Sequence, residues 1–195
     1  MDARQQPARL CCMISGGGRT VLNLLDAIER RELNAAIPLV IASGPCTGVE
    51  RLRARGLNVV VEPGTVPAPR LGSLLREHTI DWVVLAGYLK LVDIPPAYAR
   101  RVINIHPALL PKFGGKGMHG ERVHAAVLAA GERESGCTVH FCDARYDTGD
   151  VILQLRCPVM PDDTPETLAA RVFELEKIAY PRALRRLISG NAEAE

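Results

Sequence analysis

Three short stretches carry side chains able to do chemistry. Residues 103–107 read Ile103-Asn104-Ile105-His106-Pro107. In an extended chain successive side chains alternate, so Asn104 and His106 share one face while Ile103 and Ile105 take the other. Pro107 ends the strand and leaves both polar groups near its carboxyl end. A lone histidine is usually a satisfied core residue. An Asn and a His together at that edge point instead to a site, because open α/β sheets bind ligands there.

The second stretch is Ser15-Gly16-Gly17-Gly18-Arg19-Thr20. Glycines at a strand-to-helix turn let backbone N–H groups approach an anion at the positive helix end. The spacing is neither G-x-G-x-x-G nor a P-loop, which needs Lys-Ser/Thr after the last glycine. It reads either as a tight turn or as a cradle for a single phosphate. The third stretch, CTVHFC at 137–142, puts His140 and Cys142 on one strand face and Cys137 on the other. The turn after it carries Asp147, which either bonds its own backbone or reaches back to the sheet edge. His106, His140 and Cys142 offer zinc-ligand types, but no pair has close ligand spacing on a turn, so no metal is expected.

The elements that must position these residues follow from apolar periodicity. Residues 9–15 (RLCCMIS) form a strand, and Val21, Leu22, Leu24, Leu25 and Ile28 recur at helical spacing after the glycines. Further strands are expected at 37–42, 57–61, 82–86 and 102–105, with helical pieces at 49–55 and 71–78. Strands apolar on both faces that alternate with helices predict a doubly wound, mostly parallel α/β sheet. Beyond residue 106, a helix is expected at 118–130 and strands at 137–142 and 151–159. The turn at 146–150 between those strands marks an antiparallel excursion. The last helix starts cleanly, with Thr164 as cap, Pro165 at its first position and Glu166 favouring the dipole. Pro181 is expected to kink or break it before 182–188 resumes, and 190–195 to fray.

Composition bounds the function. The 195 residues are 47% hydrophobic and 24% charged, which suits one globular domain, 1–195, rather than a disordered chain. Lys+Arg 24 against Asp+Glu 22, interleaved along the chain, leaves no basic footprint for nucleic acid. Aromatics at 4% offer few base-stacking platforms. No apolar run approaches the roughly 20 residues of a membrane span. The first seven residues lack the apolar core of a signal peptide. The six cysteines form no C-x-x-C pair, and five lie in apolar strand-like runs, so a reduced, cytoplasmic protein is expected.

Taken in order, ISGGG, VLAGYLKLV, INIHPALLPKF, TVHF, YDTGDVILQ and RVFELEKIAYP give the chain a family likeness. It resembles the glycinamide ribonucleotide formyltransferases of purine biosynthesis from residue 14 to residue 181. The resemblance implies a Rossmann-like formyltransferase fold, a nucleotide-binding half at 1–106 and a folate-side half at 107–195. It implies 10-formyltetrahydrofolate as co-substrate, small-molecule partners, and a monomer or homodimer. By position, Asn104, His106 and Asp147 match the catalytic triad of polar residues, with His140 close by. Leu89, Lys90, Leu91 and Val92 match the segment lining the folate pteridine site, and Asp143, Ala144, Arg145, Tyr146 and Asp147 the loop that closes over it. Gly17, Gly18, Arg19 and Thr20 match the loop that holds the ribonucleotide phosphate, and Glu176 a carboxylate on the ribonucleotide side. Two departures stand out. Arg19 and Thr20 replace the usual Ser or Thr then Asn, and residues 113–119 (FGGKGMH) are an unusual version of their loop. Arg19 either contacts the phosphate through its guanidinium or points into solvent.

Formyl transfer to an amine passes through a tetrahedral intermediate whose oxyanion wants a preorganised donor. Asn104 and a protonated His106 suit that role, and His106, or a water ordered with Asp147, can move the proton. A carboxylate beside His106 is expected to raise its pKa. Three rivals share parts of this pattern. A formyltetrahydrofolate hydrolase is disfavoured by the few residues before the first strand. Formyltransferases acting on an amino sugar nucleotide or a charged tRNA usually carry a further C-terminal domain. A silent nucleotide-binding module would not need Asn104, His106 and Asp147 intact.

Overall fold

Strands that are apolar on both faces need a covering on each side, and the chain supplies it. The computed structural model describes residues 6–190. Most of the polar N-terminal stretch and of the tail expected to fray lies outside the described residues. In β1 (Ala8–Ile14), Leu10, Cys12 and Ile14 join one buried cluster while Cys11 and Met13 join the other. The first cluster takes Val21, Leu24 and Ala27 of α1 (Arg19–Glu29) and Val49 and Leu52 of α2 (Thr47–Ala54). The second takes Leu71, Leu74 and Leu75 of α3 (Ala68–Glu77). The sheet is therefore doubly wound, as the apolar runs predict.

Seven strands stand in the order β3 (Val59–Val61), β2 (Ala35–Ala42), β1, β4 (Trp82–Leu85), β5 (Val102–His106), β6 (Glu134–Phe141), β7 (Val151–Pro158). The first five are parallel; β6 and β7 each run antiparallel to the neighbour before them. Winding goes outward from β1 to β3 and then restarts at β4, so the order reverses between β1 and β4. A crevice opens at such a reversal, at the carboxyl ends of the strands. Here Ser15 ties the two loops together: its N–H donates to the Gly87 carbonyl at 2.9 Å, and its Oγ accepts from the Leu89 N–H at 2.9 Å.

Two local expectations need correction. The helix expected from 118 starts three residues later, as α4 (Glu121–Ala129). Gly117 (φ 88°) and Gly120 (φ 58°) hold the chain in left-handed conformations that a helix cannot use. The last helix, α5 (Pro165–Ile188), runs unbroken through Pro181. A proline leaves the carbonyl four residues earlier without its helical donor. That carbonyl belongs to Lys177, and Asn23 of α1 donates its side-chain amide to it at 3.1 Å. The start of α5 is as expected, with Thr164 and Thr167 exchanging side-chain to backbone hydrogen bonds in a capping box.

α5 also locks the strands that matter most. Its Tyr180 is fully buried and its hydroxyl lies 2.9 Å from the Leu85 carbonyl of β4 and 3.1 Å from the Ile103 carbonyl of β5. One phenolic proton is shared between two strand ends, next to Asn104 in sequence.

Candidate active site

The carboxyl ends of β1, β4 and β5 open into a cavity of about 630 Å³. Of the residues singled out in the sequence, Gly17, Gly18, Arg19, Thr20, Leu89, Lys90, Leu91, Val92, Asn104, His106, His140, Asp143, Arg145, Tyr146, Asp147 and Glu176 all line it. Ala144 does not. The Asp143 side chain closes the turn, accepting from the Arg145 N–H at 2.8 Å and the Thr148 hydroxyl at 2.8 Å, and Ala144 sits exposed on its outer corner.

Strand alternation delivers Asn104 and His106 to the cavity, as expected. Antiparallel register sets His140 of β6 opposite Asn104. The turn after β6 then folds Asp147 back between the two histidines. Its Oδ2 lies 3.5 Å from His106 Nδ1 and accepts from the Gly115 N–H at 2.9 Å. Its Oδ1 lies 3.6 Å from His140 Nε2 and 3.5 Å from Asn104 Nδ2. Glycine at 114 eases this approach: a Cβ there would come 2.6 Å from Leu110 Cδ2 and 3.1 Å from Asp147 Cβ, so both side chains would have to give way.

Hydrogen-bond partners fix the tautomers. A carbonyl only accepts, so His106 Nε2 carries a proton toward the Phe113 carbonyl at 2.8 Å. His140 Nδ1 likewise donates to the Phe141 carbonyl at 2.8 Å, leaving its Nε2 to accept from Asn104 Nδ2 at 3.2 Å. The basic atom of neutral His106 is then Nδ1, on the Asp147 side. His106 is 3% exposed. Burial holds its pKa below the ordinary value. Asp147 and the Phe113 carbonyl pull the other way without prevailing. The expected rise is therefore corrected: desolvation of the imidazolium outweighs the neighbouring carboxylate. For Asp147 the balance is reversed. Burial pushes its carboxyl up, but a proton on His140 or on His106, when either carries one toward it, and the Gly115 N–H hold it below the ordinary carboxylate value.

The opposite wall is built differently. Gly18 (φ 71°) starts α1 with no side-chain cap and no acidic residue in the first turn. α2 abuts this turn so closely that a Cβ on Gly48 would come 2.3 Å from the Gly16 carbonyl. Arg51 of α2 donates to the Gly17 carbonyl at 2.7 Å. Arg19 is exposed, and its guanidinium stacks 4.5 Å from the centre of the Phe173 ring on α5. One turn on, burial pushes the Glu176 carboxyl up to about 7, against the pull of Arg19.

A model of the formyl transferase family matches residues 8–184. The chain belongs to the formyl transferase family. Its similarity to the chloroplastic phosphoribosylglycinamide formyltransferase of Vigna unguiculata is 39% identity over 188 residues, 92% of this chain and 60% of that one. With the trifunctional purine biosynthetic protein adenosine-3 of Drosophila melanogaster it shares 36% identity over 96% of its own length and 14% of the fly protein's. The chain thus spans less than two thirds of the length of both curated relatives. The solved glycinamide ribonucleotide transformylase 1 of Symbiobacterium toebii superimposes with a TM-score of 0.87 at 32% identity, covering 97% of this chain and 92% of that one.

Sequence reasoning missed several groups of this formyl transferase site. The Phe113 carbonyl and the Gly115 N–H are backbone groups and have no residue-type signal. Phe173 and Ala169 line the cavity from α5, where an apolar side chain in a helix carries no signal of a site. His124 of α4 also lines it, and only the histidine itself, one residue after Val123 in a helical run, marked the place.

Proposed function

We propose that the protein transfers the formyl group of 10-formyltetrahydrofolate to the primary amine of glycinamide ribonucleotide, as an enzyme of purine biosynthesis. The observation that carries this reading is the constellation of buried His106 and His140 with half-buried Asn104 and Asp147 at the carboxyl edge, between two differently built walls. Residues 89–92 and 143–147 make the folate wall, and residues 16–20 with Phe173 and Glu176 the ribonucleotide wall. Both halves of the chain, 1–106 and 107–195, line one cavity and act as one formyltransferase domain. Leu89 and Leu91 are exposed at the folate side, where an aromatic ring would cover them.

The amine attacks the formyl carbon, and the tetrahedral intermediate collapses with cleavage of the bond to N10. One proton leaves the attacking nitrogen and one reaches N10. His106 begins neutral, with its Nδ1 lone pair facing Asp147, and takes the amine proton there directly or through a water. The carboxylate then stabilises the imidazolium at the moment it forms. The Asn104 amide proton held only loosely toward Asp147, at 3.5 Å, is the donor free to turn toward the formyl oxyanion. No covalent enzyme intermediate or metal enters this scheme.

The test is incubation with 10-formyltetrahydrofolate and glycinamide ribonucleotide. Formylated ribonucleotide and tetrahydrofolate are expected in equal amounts. Release of formate without formylated amine would replace this reading by hydrolysis. The six free cysteines, four of them buried, support a reducing compartment such as the cytoplasm. The same reading takes the protein as a monomer or homodimer binding small molecules, which light scattering checks. Among the described residues no helix is long and apolar enough to cross a membrane.

A further inference from the structure

Of the four polar side chains that meet at the site, only Asp147 is not delivered by a strand. Asn104, His106 and His140 stand on β5 and β6, whereas Asp147 comes from the turn between β6 and β7. Its backbone is left-handed, with φ 57°. Few residues other than glycine enter that region, and they stay there only where the surroundings hold them. The carboxylate's own contacts do little of the holding. Its short contact is the Gly115 N–H at 2.9 Å, while His106, His140 and Asn104 lie at 3.5, 3.6 and 3.5 Å. Those three distances are at the limit of a hydrogen bond, so a small drift of the turn would lose them.

The turn is closed at two places. At its stem the Phe141 N–H donates to the Asp150 carbonyl at 2.9 Å, and a Cβ on Gly149 would come 1.9 Å from the Phe141 carbonyl oxygen. At its tip the Thr148 hydroxyl donates to the Asp143 carboxylate, with 2.8 Å to Oδ1 and 2.9 Å to Oδ2. The same Oδ1 accepts from the Arg145 N–H at 2.8 Å. With 148 tied to 143 and 149 packed on 141, the chain has no slack on the C-terminal side of Asp147. Thr148 is exposed and does not line the cavity, so it makes no contact with a substrate there. A hydroxyl given to a charged carboxylate is also a stronger bond than one between neutral groups.

We propose that Thr148 is a positioning residue: its clasp on Asp143 keeps the turn in the conformation that aims the Asp147 carboxylate between His106 and His140. The effect on turnover rests on the formyl-transfer reading above, while the geometry can be followed without it.

The experiment uses Thr148→Val, which keeps the branched shape and removes the hydroxyl, and Thr148→Ser, which keeps the hydroxyl. Thr148 is exposed, so neither change threatens the fold. Hydrogen exchange of the Gly115 amide, followed by NMR, reports whether Asp147 is in place. Steady-state kinetics with both substrates report turnover. In Thr148→Val the Gly115 amide should exchange roughly tenfold faster, while the amides of β4 and β5 keep their wild-type rates. kcat should fall about tenfold with the ribonucleotide KM within about twofold. Thr148→Ser should restore both quantities. A cycle with Asp147→Asn separates positioning from general loosening, because asparagine tolerates the left-handed backbone but carries no carboxylate. In that background Thr148→Val should change kcat by less than about twofold. An equal fall in both backgrounds would overturn the proposal. So would unchanged Gly115 exchange or, in an active enzyme, unchanged kcat in Thr148→Val. If wild type forms no formylated ribonucleotide and Thr148→Val still frees the Gly115 amide, the functional reading fails and the positioning stands. If wild type is active and Thr148→Val matches it in both readouts, the positioning alone fails.

Discussion

The two polar regions of the cavity are organised in opposite ways. At the carboxyl edge of β5 the protein already holds its own chemistry: His106, His140 and Asn104 each have a partner, and Asp147 joins all three. At the glycine turn almost nothing is closed. α1 starts uncapped, Arg51 reaches only the Gly17 carbonyl, and Arg19 rests on the face of Phe173. The first region is preorganised by protein groups, so changes in it should appear in turnover. The second waits for a ligand, so changes in it should appear in affinity and respond to salt. The contrast can be broken or sharpened at four levels.

The largest effect belongs to the closed region. His106→Ala and Asp147→Asn should each lower kcat by at least ~100-fold, the usual scale for lost proton-transfer assistance, with both KM values little changed. Because burial sets the His106 pKa below the ordinary value of about 6.5, activity should stay high at neutral pH and fall only as acid protonates it. An acidic limb above pH 7.5 that persists in Glu176→Gln would contradict this. Near wild-type turnover in His106→Ala would remove the contrast altogether.

The open region should give a smaller effect of another kind. Arg19→Ser removes a guanidinium able to leave Phe173 and make a charge-assisted contact with a phosphate. The ribonucleotide KM should rise roughly tenfold, equivalent to ~1.4 kcal/mol, and less so at high salt. The folate KM should not move. Arg19 also restrains Glu176, whose carboxyl sits at about 7. A folded protein that binds this proton more tightly than the unfolded chain loses stability as the pH climbs from about 4.5 to 7. Melting temperature should therefore fall across that window in wild type and fall less in Glu176→Gln. Equal slopes in the two proteins would refute the raised carboxyl.

Between these lies the scaffold that holds the closed region. Tyr180→Phe removes the proton shared by the Leu85 and Ile103 carbonyls and leaves both buried acceptors short of a donor. A loss of about 1–2 kcal/mol by denaturant titration is expected, with a modest fall in kcat because β5 carries Asn104. No loss of stability would mean that the strand ends need no such pin.

How much of this was legible beforehand follows the same division. The inner strands were visible as apolar runs because a strand covered on both faces has no polar face to hide it, whereas β7, half-buried at the sheet edge, was placed by its own apolar residues and the turn before it. Asn104 and His106 were legible together through alternation alone. Asp147 was only half legible: its place in the turn left it either bonding its own backbone or reaching back to the sheet edge, and the family likeness favoured the second. The direction of the His106 pKa was misread because a neighbouring carboxylate can be inferred from sequence, whereas a side chain that is 3% exposed cannot. The loop at 113–119 was marked as unusual, but its contribution is made by a backbone carbonyl and a backbone N–H, which carry no residue-type signal. Pro181 was read as a break because its remedy lies far away in the chain.

That remedy supports the smallest prediction. Pro181 denies the Lys177 carbonyl its helical donor, and Asn23, 154 residues earlier than Lys177, supplies one from α1. The bond joins the helix that starts at the glycine turn to the helix that carries Phe173 and Glu176, so it steadies the open wall from behind. Asn23→Leu should cost about 1 kcal/mol, the usual net value of one hydrogen bond, since it leaves a partly buried carbonyl unpaired. Pro181→Ala restores the backbone donor and, in that background, Asn23→Leu should cost appreciably less. The double-mutant cycle isolates this coupling from packing changes common to both backgrounds. If Asn23→Leu costs the same with alanine at 181 as with proline, the amide is not the substitute for the missing N–H. The unbroken course of α5 would then rest on the packing of Tyr180, Ala183 and Leu184 alone.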